Sequence, residues 1–81
     1  MEGFLLKRLP KMFDKDQYRI NKPAIKRFYE NNGFDKMSLF SALSFVPVTV
    51  VYELLMEDYP ELEEKCKERI KQINDFFGYN Q

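Results

Sequence analysis

Prolines and glycines divide this chain into short segments that favour helices. Proline fits the first turn of a helix, where its missing N–H has no partner to lose. The residue before a proline is steered away from the helical region, so a preceding helix ends there. Glycine suits the left-handed conformation just beyond a helix end. Pro23, Pro47 and Pro60 therefore mark predicted helix starts, and Gly33 and Gly78 mark predicted ends.

These boundaries predict an all-α domain of four main helices over residues 21–78, with a long C-terminal helix. The helices are expected at residues 22–32, 36–44, 48–57 and 60–77, and a short extra helix near residues 3–9. Asn21 and Asp35 are the expected side-chain caps of the first two helices. The third segment is rich in β-branched residues, which favour strands, but the chain offers few pairing partners. Residues 1–20 are expected to form an arm or short helix that docks on the core.

The apolar residues recur with helical periodicity and predict one shared core. In the last helix, a continuous stripe of apolar residues follows spacings of three and four. Ile25, Phe28 and Tyr29 would face the core from the first helix, and Met37, Leu39 and Leu43 line the apolar side of the second. The residues that we expect to be buried together are Phe28, Phe40, Val46, Val51, Leu54, Leu62, Cys66, Ile70 and Ile73.

Composition excludes several kinds of chemistry. The chain has no His and one Cys, so it cannot form a zinc site of soft ligands, a Ser-His-Asp triad or an internal disulfide. Neighbouring carboxylates such as Glu63 and Glu64 are explained by a solvated helix face. We therefore predict a protein that is not an enzyme and has no cofactor, metal or small-molecule substrate. No segment resembles a signal peptide or a membrane span, which predicts a cytoplasmic protein with no membrane partner.

The charges are unevenly distributed along the chain. Thirteen basic and thirteen acidic residues give a formal net charge of zero. Residues 1–40 carry nine basic and five acidic side chains, a charge of +4, and residues 41–81 carry four basic and eight acidic, a charge of −4. A basic face of this kind suits the phosphate backbone of nucleic acid. The alternative is that these lysines only solvate the outer faces of helices.

Residues 37–56 resemble a helix-turn-helix motif. Ser41 supplies the small residue where two helices cross, Val46 the apolar residue after the turn, and Val51 and Leu54 the inward pair of the second helix. The stretch from Glu57 to Lys65 resembles the opening of the long helix in small terminase subunits of tailed phages. The resemblance implies a helix-turn-helix-like fold. It also implies a small DNA-binding protein of phage or mobile-element type, a regulator or packaging-related factor that acts by binding.

Under this interpretation, duplex DNA would be contacted by the second helix of the motif and by basic residues near the helix starts. These candidate contacts are Lys22, Lys26, Arg27, Lys36, Ser38, Val48, Thr49 and Tyr52. Phe45 stands where the motif usually has glycine, so either this aromatic residue adopts a left-handed conformation or the chain uses a different turn. Pro47 stands where the motif usually has a Ser or Thr cap, and it cannot cap by its side chain. The second helix is expected to expose Tyr52, Glu53 and Met56. It carries none of the Arg, Lys, Asn or Gln side chains that read bases bidentately.

The alternative function is a protein–protein interaction module, or an inhibitor of a host or partner protein. An apolar, nearly uncharged helix suits the surface of another protein or of a second copy. In that case the contact residues would be Val48, Val50, Tyr52, Glu53 and Met56. The two functions differ in salt dependence, because phosphate contacts weaken steeply as salt rises and apolar contacts do not.

Overall fold

The computed structural model describes residues 14–76 as an all-α fold. Its four helices are α1 (Lys22–Asn32), α2 (Met37–Ser44), α3 (Val48–Asp58) and α4 (Glu63–Phe76). Short 3₁₀ helices, Lys15–Asn21, Phe34–Lys36 and Pro60–Leu62, precede α1, α2 and α4. No strand occurs in this part of the chain, so the helical prediction for the third segment is confirmed. The expected short helix near residues 3–9 lies outside the described residues.

The helix boundaries follow the prolines and Gly33, but the predicted side-chain caps are wrong. Pro47 precedes α3 directly, and Gly33 ends α1 with φ 88° and ψ 171°, a conformation that is essentially restricted to glycine. Neither Asn21 nor Asp35 caps a helix through its side chain. The 3₁₀ helices run directly into α1 and α2, so their carbonyls accept the first N–H groups. The N–H of Lys22, for example, donates to the Arg19 carbonyl.

Helix α3 is the centre of the fold, because it contacts α1, α2, α4 and the first 3₁₀ helix. It buries the side chains at five positions, and the rest of the core comes from its neighbours. The α3 members are Val50, Val51, Tyr52, Leu54 and Leu55, and the others are Ile25, Met37, Phe40, Val46, Leu62 and Cys66. Burial raises the pKa of the Cys66 thiol to about 11, so this cysteine is an apolar core residue.

Most of the predicted core is confirmed, with two corrections. Phe28, Ile70 and Ile73 pack against the core but are only partly buried. Leu39 and Leu43 are 51% and 73% exposed, so their predicted inward orientation is wrong. Helix α2 packs on α1 and α3 through the face that carries Met37 and Phe40. The helical period then turns the two leucines to the opposite side.

Candidate binding surfaces at the two ends of helix α3

The turn between α2 and α3 has a left-handed residue at Phe45, which is one of the two alternatives that the sequence left open. Phe45 has φ 62° and ψ 22°, and its N–H donates to the Ser41 carbonyl at 2.9 Å. The Ser41 hydroxyl in turn donates to the carbonyl of Val46. Ser41 therefore does more than allow a close helix crossing, since its side chain also fixes the start of the next segment. The Phe45 ring is 89% exposed, so no core packing offsets the cost of its backbone conformation.

Much of α3 is hidden from any partner. Tyr52 is 1% exposed and Val50 is fully buried, so the prediction that they contact DNA or a protein partner is wrong. The Tyr52 ring packs 5.6 Å from the ring of Phe34, centroid to centroid, and burial raises the pKa of its hydroxyl. The physical reason is the position of α3 between the other helices, which leaves only a narrow outer strip.

That outer strip of α3 is half-buried and carries no positive charge. It contains Val48, Thr49, Glu53 and Met56, all of them candidate contacts from the sequence. Glu53 has a raised pKa because burial disfavours its charged form, although Lys15 acts in the opposite direction. A carboxylate in this strip repels phosphate, so the strip is poorly suited to a DNA groove.

The candidate basic residues divide into one that is already paired and three that are not. Lys22 lies 3.1 Å from a carboxylate oxygen of Glu57 and 3.5 Å from one of Asp58. Lys26, Arg27 and Lys36 are exposed. We find no ion pair for these three among residues 14–76. Ser38 is also exposed, at the start of α2.

Three cations converge on Glu57 at the C-terminal end of α3. The Arg19 guanidinium donates to both carboxylate oxygens, at 2.7 and 3.2 Å, and the amines of Lys15 and Lys22 each lie at 3.1 Å. The hydrogen bond from Arg19, followed by those from the lysines, lowers the pKa of Glu57 to about 2. We call Glu57 with Lys15, Arg19 and Lys22 the Glu57 cluster.

The Glu57 cluster also compensates the dipole of α3. Glu57 and Asp58 lie in the last turn, where the negative end of the helix dipole makes carboxylates unfavourable. The 3₁₀ helix Lys15–Asn21 places Lys15 and Arg19 against this end. None of its residues is fully buried, but Tyr18 packs partly buried against the core. Its attachment to the rest of the fold therefore combines these ion pairs with the packing of Tyr18.

A shallow groove of about 290 Å³ runs between α4 and the 3₁₀ helix that precedes α2. Lys65 and Arg69 lie over the ring of Phe34, 5.5 and 5.0 Å from its centroid. The Arg69 guanidinium donates to Asp35 at 3.3 Å. Glu68 also lines the groove, so two positive and two negative charges balance there. The groove has no charge preference that would select an anion.

Three large apolar side chains near the motif are exposed on α2 and on the turn that follows it. Leu39, Leu43 and Phe45 are 51%, 73% and 89% exposed, and we call these three residues the α2 patch. No charged residue lies between Lys36 and Glu53 in the sequence. The sequence prediction missed the patch because it placed both leucines on the same apolar side of the helix as Met37 and Phe40. The signal was present, since both positions lie away from the Met37–Phe40 face on a helical period.

Comparison with known proteins identifies no relative of this chain. The chain matches no model of a known protein family, no curated protein and no solved structure. Within residues 14–76, no group of three or more His, Cys, Asp or Glu side chains is placed to hold a metal ion. No helix in the same range is long and apolar enough to cross a membrane.

Proposed function

We propose that this protein is a small binding module that contacts another protein through the α2 patch. The observation that supports this most is the exposure of Leu39, Leu43 and Phe45 on a surface with no charged neighbours in sequence. Fully burying one such side chain stabilises a complex by roughly 1.5–3 kcal/mol. Three of them on a short, rigid element form the apolar centre that protein interfaces use.

The conformation of Phe45 supports the same function. A non-glycine residue in the left-handed region costs roughly 1–2 kcal/mol, and an exposed ring gains no packing energy in return. Strained residues of this kind occur preferentially where they contribute to binding. Docking the ring into a partner would recover, through burial, the free energy that the turn costs.

The test is affinity capture with matched variants of the full-length protein. Leu43→Glu and Phe45→Ser disrupt the α2 patch, and Ile20→Glu changes a residue that is equally exposed, at 87%, on the first 3₁₀ helix. We expect the patch variants to lose specific partners, while the wild type and Ile20→Glu keep them at high salt. Circular dichroism of each variant confirms that the fold is retained. Equal capture by all four proteins would contradict the proposal.

A second candidate function is DNA binding by a helix-turn-helix protein of phage or mobile-element type, as a regulator or packaging-related factor. It is favoured by the short turn with a left-handed residue between α2 and α3, and by the exposed cations Lys26, Arg27 and Lys36. In this function phosphate contacts would supply most of the affinity. The half-buried strip of α3, with Glu53, would contribute only shape and a few apolar contacts.

Salt titration with mixed-sequence duplex DNA separates the two functions. DNA binding predicts an affinity that falls as salt rises. Lys26→Ala or Arg27→Ala, by removing a cation that pairs with one phosphate, should then reduce the slope by about one. DNA binding also predicts that Leu43→Glu retains most of the affinity. No binding to duplex at low salt, where the non-specific attraction is strongest, would exclude this second function.

A further inference from the structure

The segment that precedes α1 is a 3₁₀ helix of unusual length, and we call it the strap. It runs over the seven residues Lys15–Asn21, whereas 3₁₀ helices rarely exceed three or four residues because their hydrogen bonds have poorer geometry. None of its residues is fully buried, and Tyr18 packs against the core while partly buried. Contacts with the rest of the fold therefore hold the strap in this conformation.

The three-residue period of the strap aligns its cations with Glu57. Side chains three positions apart lie in one row on a 3₁₀ helix. Arg19 accordingly lies 2.6 Å from Asp16 and 2.7 Å from Glu57. Lys22, the residue that follows the strap, lies 3.1 Å from the same Glu57 oxygen. The ion pairs with Glu57 thus favour both the 3₁₀ conformation and the docked position of the strap.

Pro23 weakens the connection between the strap and α1. The N–H of Lys22 donates to the Arg19 carbonyl, but Pro23, the second residue of α1, has no N–H to donate. One of the backbone hydrogen bonds that would join the two elements is therefore missing. The strap can lose its contacts with α3 without unwinding α1.

Salt weakens the contacts that hold the strap but not those that hold the helices together. The side chains of Lys15, Arg19 and Glu57 are 40%, 43% and 25% exposed, so water and ions reach their ion pairs. Screening acts beyond about 10 Å at 0.1 M salt and beyond about 3 Å at 1 M. Helices α1 to α4 instead share a core of buried apolar side chains, which carry no charge to screen.

We infer that the strap is a salt-sensitive device, which rising ionic strength releases from α3 while the four helices stay folded. Release separates Lys15 from Glu57 and from Glu53, which lies one turn earlier on α3, and it exposes Tyr18. The docked strap neutralises this acidic end of α3, and the released strap leaves it negatively charged. The inference concerns the opposite end of α3 from the α2 patch and does not rest on the proposed function.

Quenching of a fluorophore at the docking contact measures the release. The chain has no Trp, so Tyr18→Trp in the full-length protein gives a single fluorophore, and acrylamide is a neutral quencher of it. We expect the quenching constant to rise at least about twofold as sodium chloride is raised to about 1 M, because the opening is local. Circular dichroism should show unchanged helix content over the same range.

Two variants in the Tyr18→Trp background identify Glu57 as the group that responds to salt. Glu57→Gln should give the high quenching constant already at low salt, with little further rise. Glu63→Gln, which removes an ion pair within α4, should keep the salt dependence of its parent. If Glu57→Gln matches the parent at low salt, packing rather than charge holds the strap and the inference is overturned.

Amide hydrogen exchange of the unmodified protein, followed by NMR, decides the matter if Tyr18→Trp itself prevents docking. The Lys22 amide donates to the Arg19 carbonyl, and the Val51 amide donates to the Pro47 carbonyl at the start of α3. Salt should accelerate exchange at Lys22 at least about fivefold more than at Val51, after correction with an unfolded peptide. Equal acceleration at both amides would show global unfolding, and no acceleration at Lys22 would show a strap that salt does not release. Either result would overturn the inference.

Discussion

The two ends of helix α3 are fixed by different physical forces. At its N-terminal end, a left-handed turn and a hydrogen bond from Ser41 to the Val46 carbonyl set the direction of the chain. At its C-terminal end, Lys15, Arg19 and Lys22 surround Glu57. The first end exposes uncharged apolar side chains. The second is held by ion pairs to a segment that has no fully buried residue and packs on the core through Tyr18.

Because of this difference, salt and pH should affect the two ends of α3 differently. Turn geometry and neutral hydrogen bonds respond little to salt or pH, so the α2 patch is presented in the same way over a wide range of conditions. Ion pairs at the surface are screened by salt and lost when the carboxylate is protonated. The Glu57 end should therefore loosen under conditions in which the Phe45 end stays intact.

The largest expected effect on the free energy of unfolding is the difference between truncating a buried leucine and truncating an exposed one. Leu54→Ala removes a fully buried side chain from the centre of α3 and should lower the free energy of unfolding by about 2–5 kcal/mol. Leu43→Ala, at an exposed position on α2, should change it by less than about 0.5 kcal/mol at low protein concentration. Urea denaturation of both variants measures the difference. Similar losses would mean that Leu43 is part of the core.

The next largest effect on stability is expected at the C-terminal end of α3, where the Glu57 cluster lies. Glu57→Gln should lower the free energy of unfolding by about 1–2 kcal/mol, because three cations lose a shared partner. Glu63→Gln is the matched control, since Glu63 forms an ion pair with Lys67 across an exposed turn of α4, at 2.7 Å. This control should lower the free energy of unfolding much less, because solvent screens the exposed pair. High salt should reduce the difference between the two variants, and a difference that salt does not change would contradict the electrostatic explanation.

The pH dependence of the free energy of unfolding tests the Glu57 cluster without a large change in structure. The pKa of Glu57 is about 2 in the folded protein, against 4.5 for a free carboxyl. Its stabilising contribution is therefore complete above pH 4.5 and is lost as the pH falls toward 2. The wild type should lose more stability than Glu57→Gln over this interval, as measured by thermal unfolding. Parallel pH profiles for the two proteins would show that Glu57 is not the group responsible.

The smallest expected effect on stability is at Phe45, at the N-terminal end of α3, where a substitution should stabilise the fold. Phe45→Gly should raise the free energy of unfolding by about 0.5–1 kcal/mol, because glycine adopts the left-handed conformation without strain. Phe45→Ala keeps the backbone cost and should change stability little. Higher stability together with weaker partner binding in Phe45→Gly would show that the strained turn serves function. Equal effects of glycine and alanine would exclude backbone strain as the cause.

Local signals account for the parts of the structure that the sequence predicted. Pro47 and Gly33 act through the backbone of their own and adjacent residues, so their effects on helix boundaries do not depend on distant packing. The buried positions of the last predicted helix, Leu62 and Cys66, follow from a periodicity that is complete within one segment.

The candidate site was less predictable, because it depends on how many neighbours each helix has. The spacing of apolar residues shows which positions share a face, but it does not show whether one face or several are covered. Helix α3 is covered on most of its circumference, which buried Tyr52 and Val50, and α2 is covered on one side, which exposed Leu39 and Leu43. The predictions for these four residues failed together for this one reason.

The sequence by itself determined the helical class and the helix boundaries set by proline and glycine, because each of these is decided within a few consecutive residues. Only the tertiary structure decided that three cations meet at Glu57 and that the apolar surface lies on α2. Lys15 and Glu57 are far apart in the chain, and their approach depends on packing the 3₁₀ helix against α3. Exposure and ion pairing are properties of the assembled helices, so no local pattern of residues specifies them.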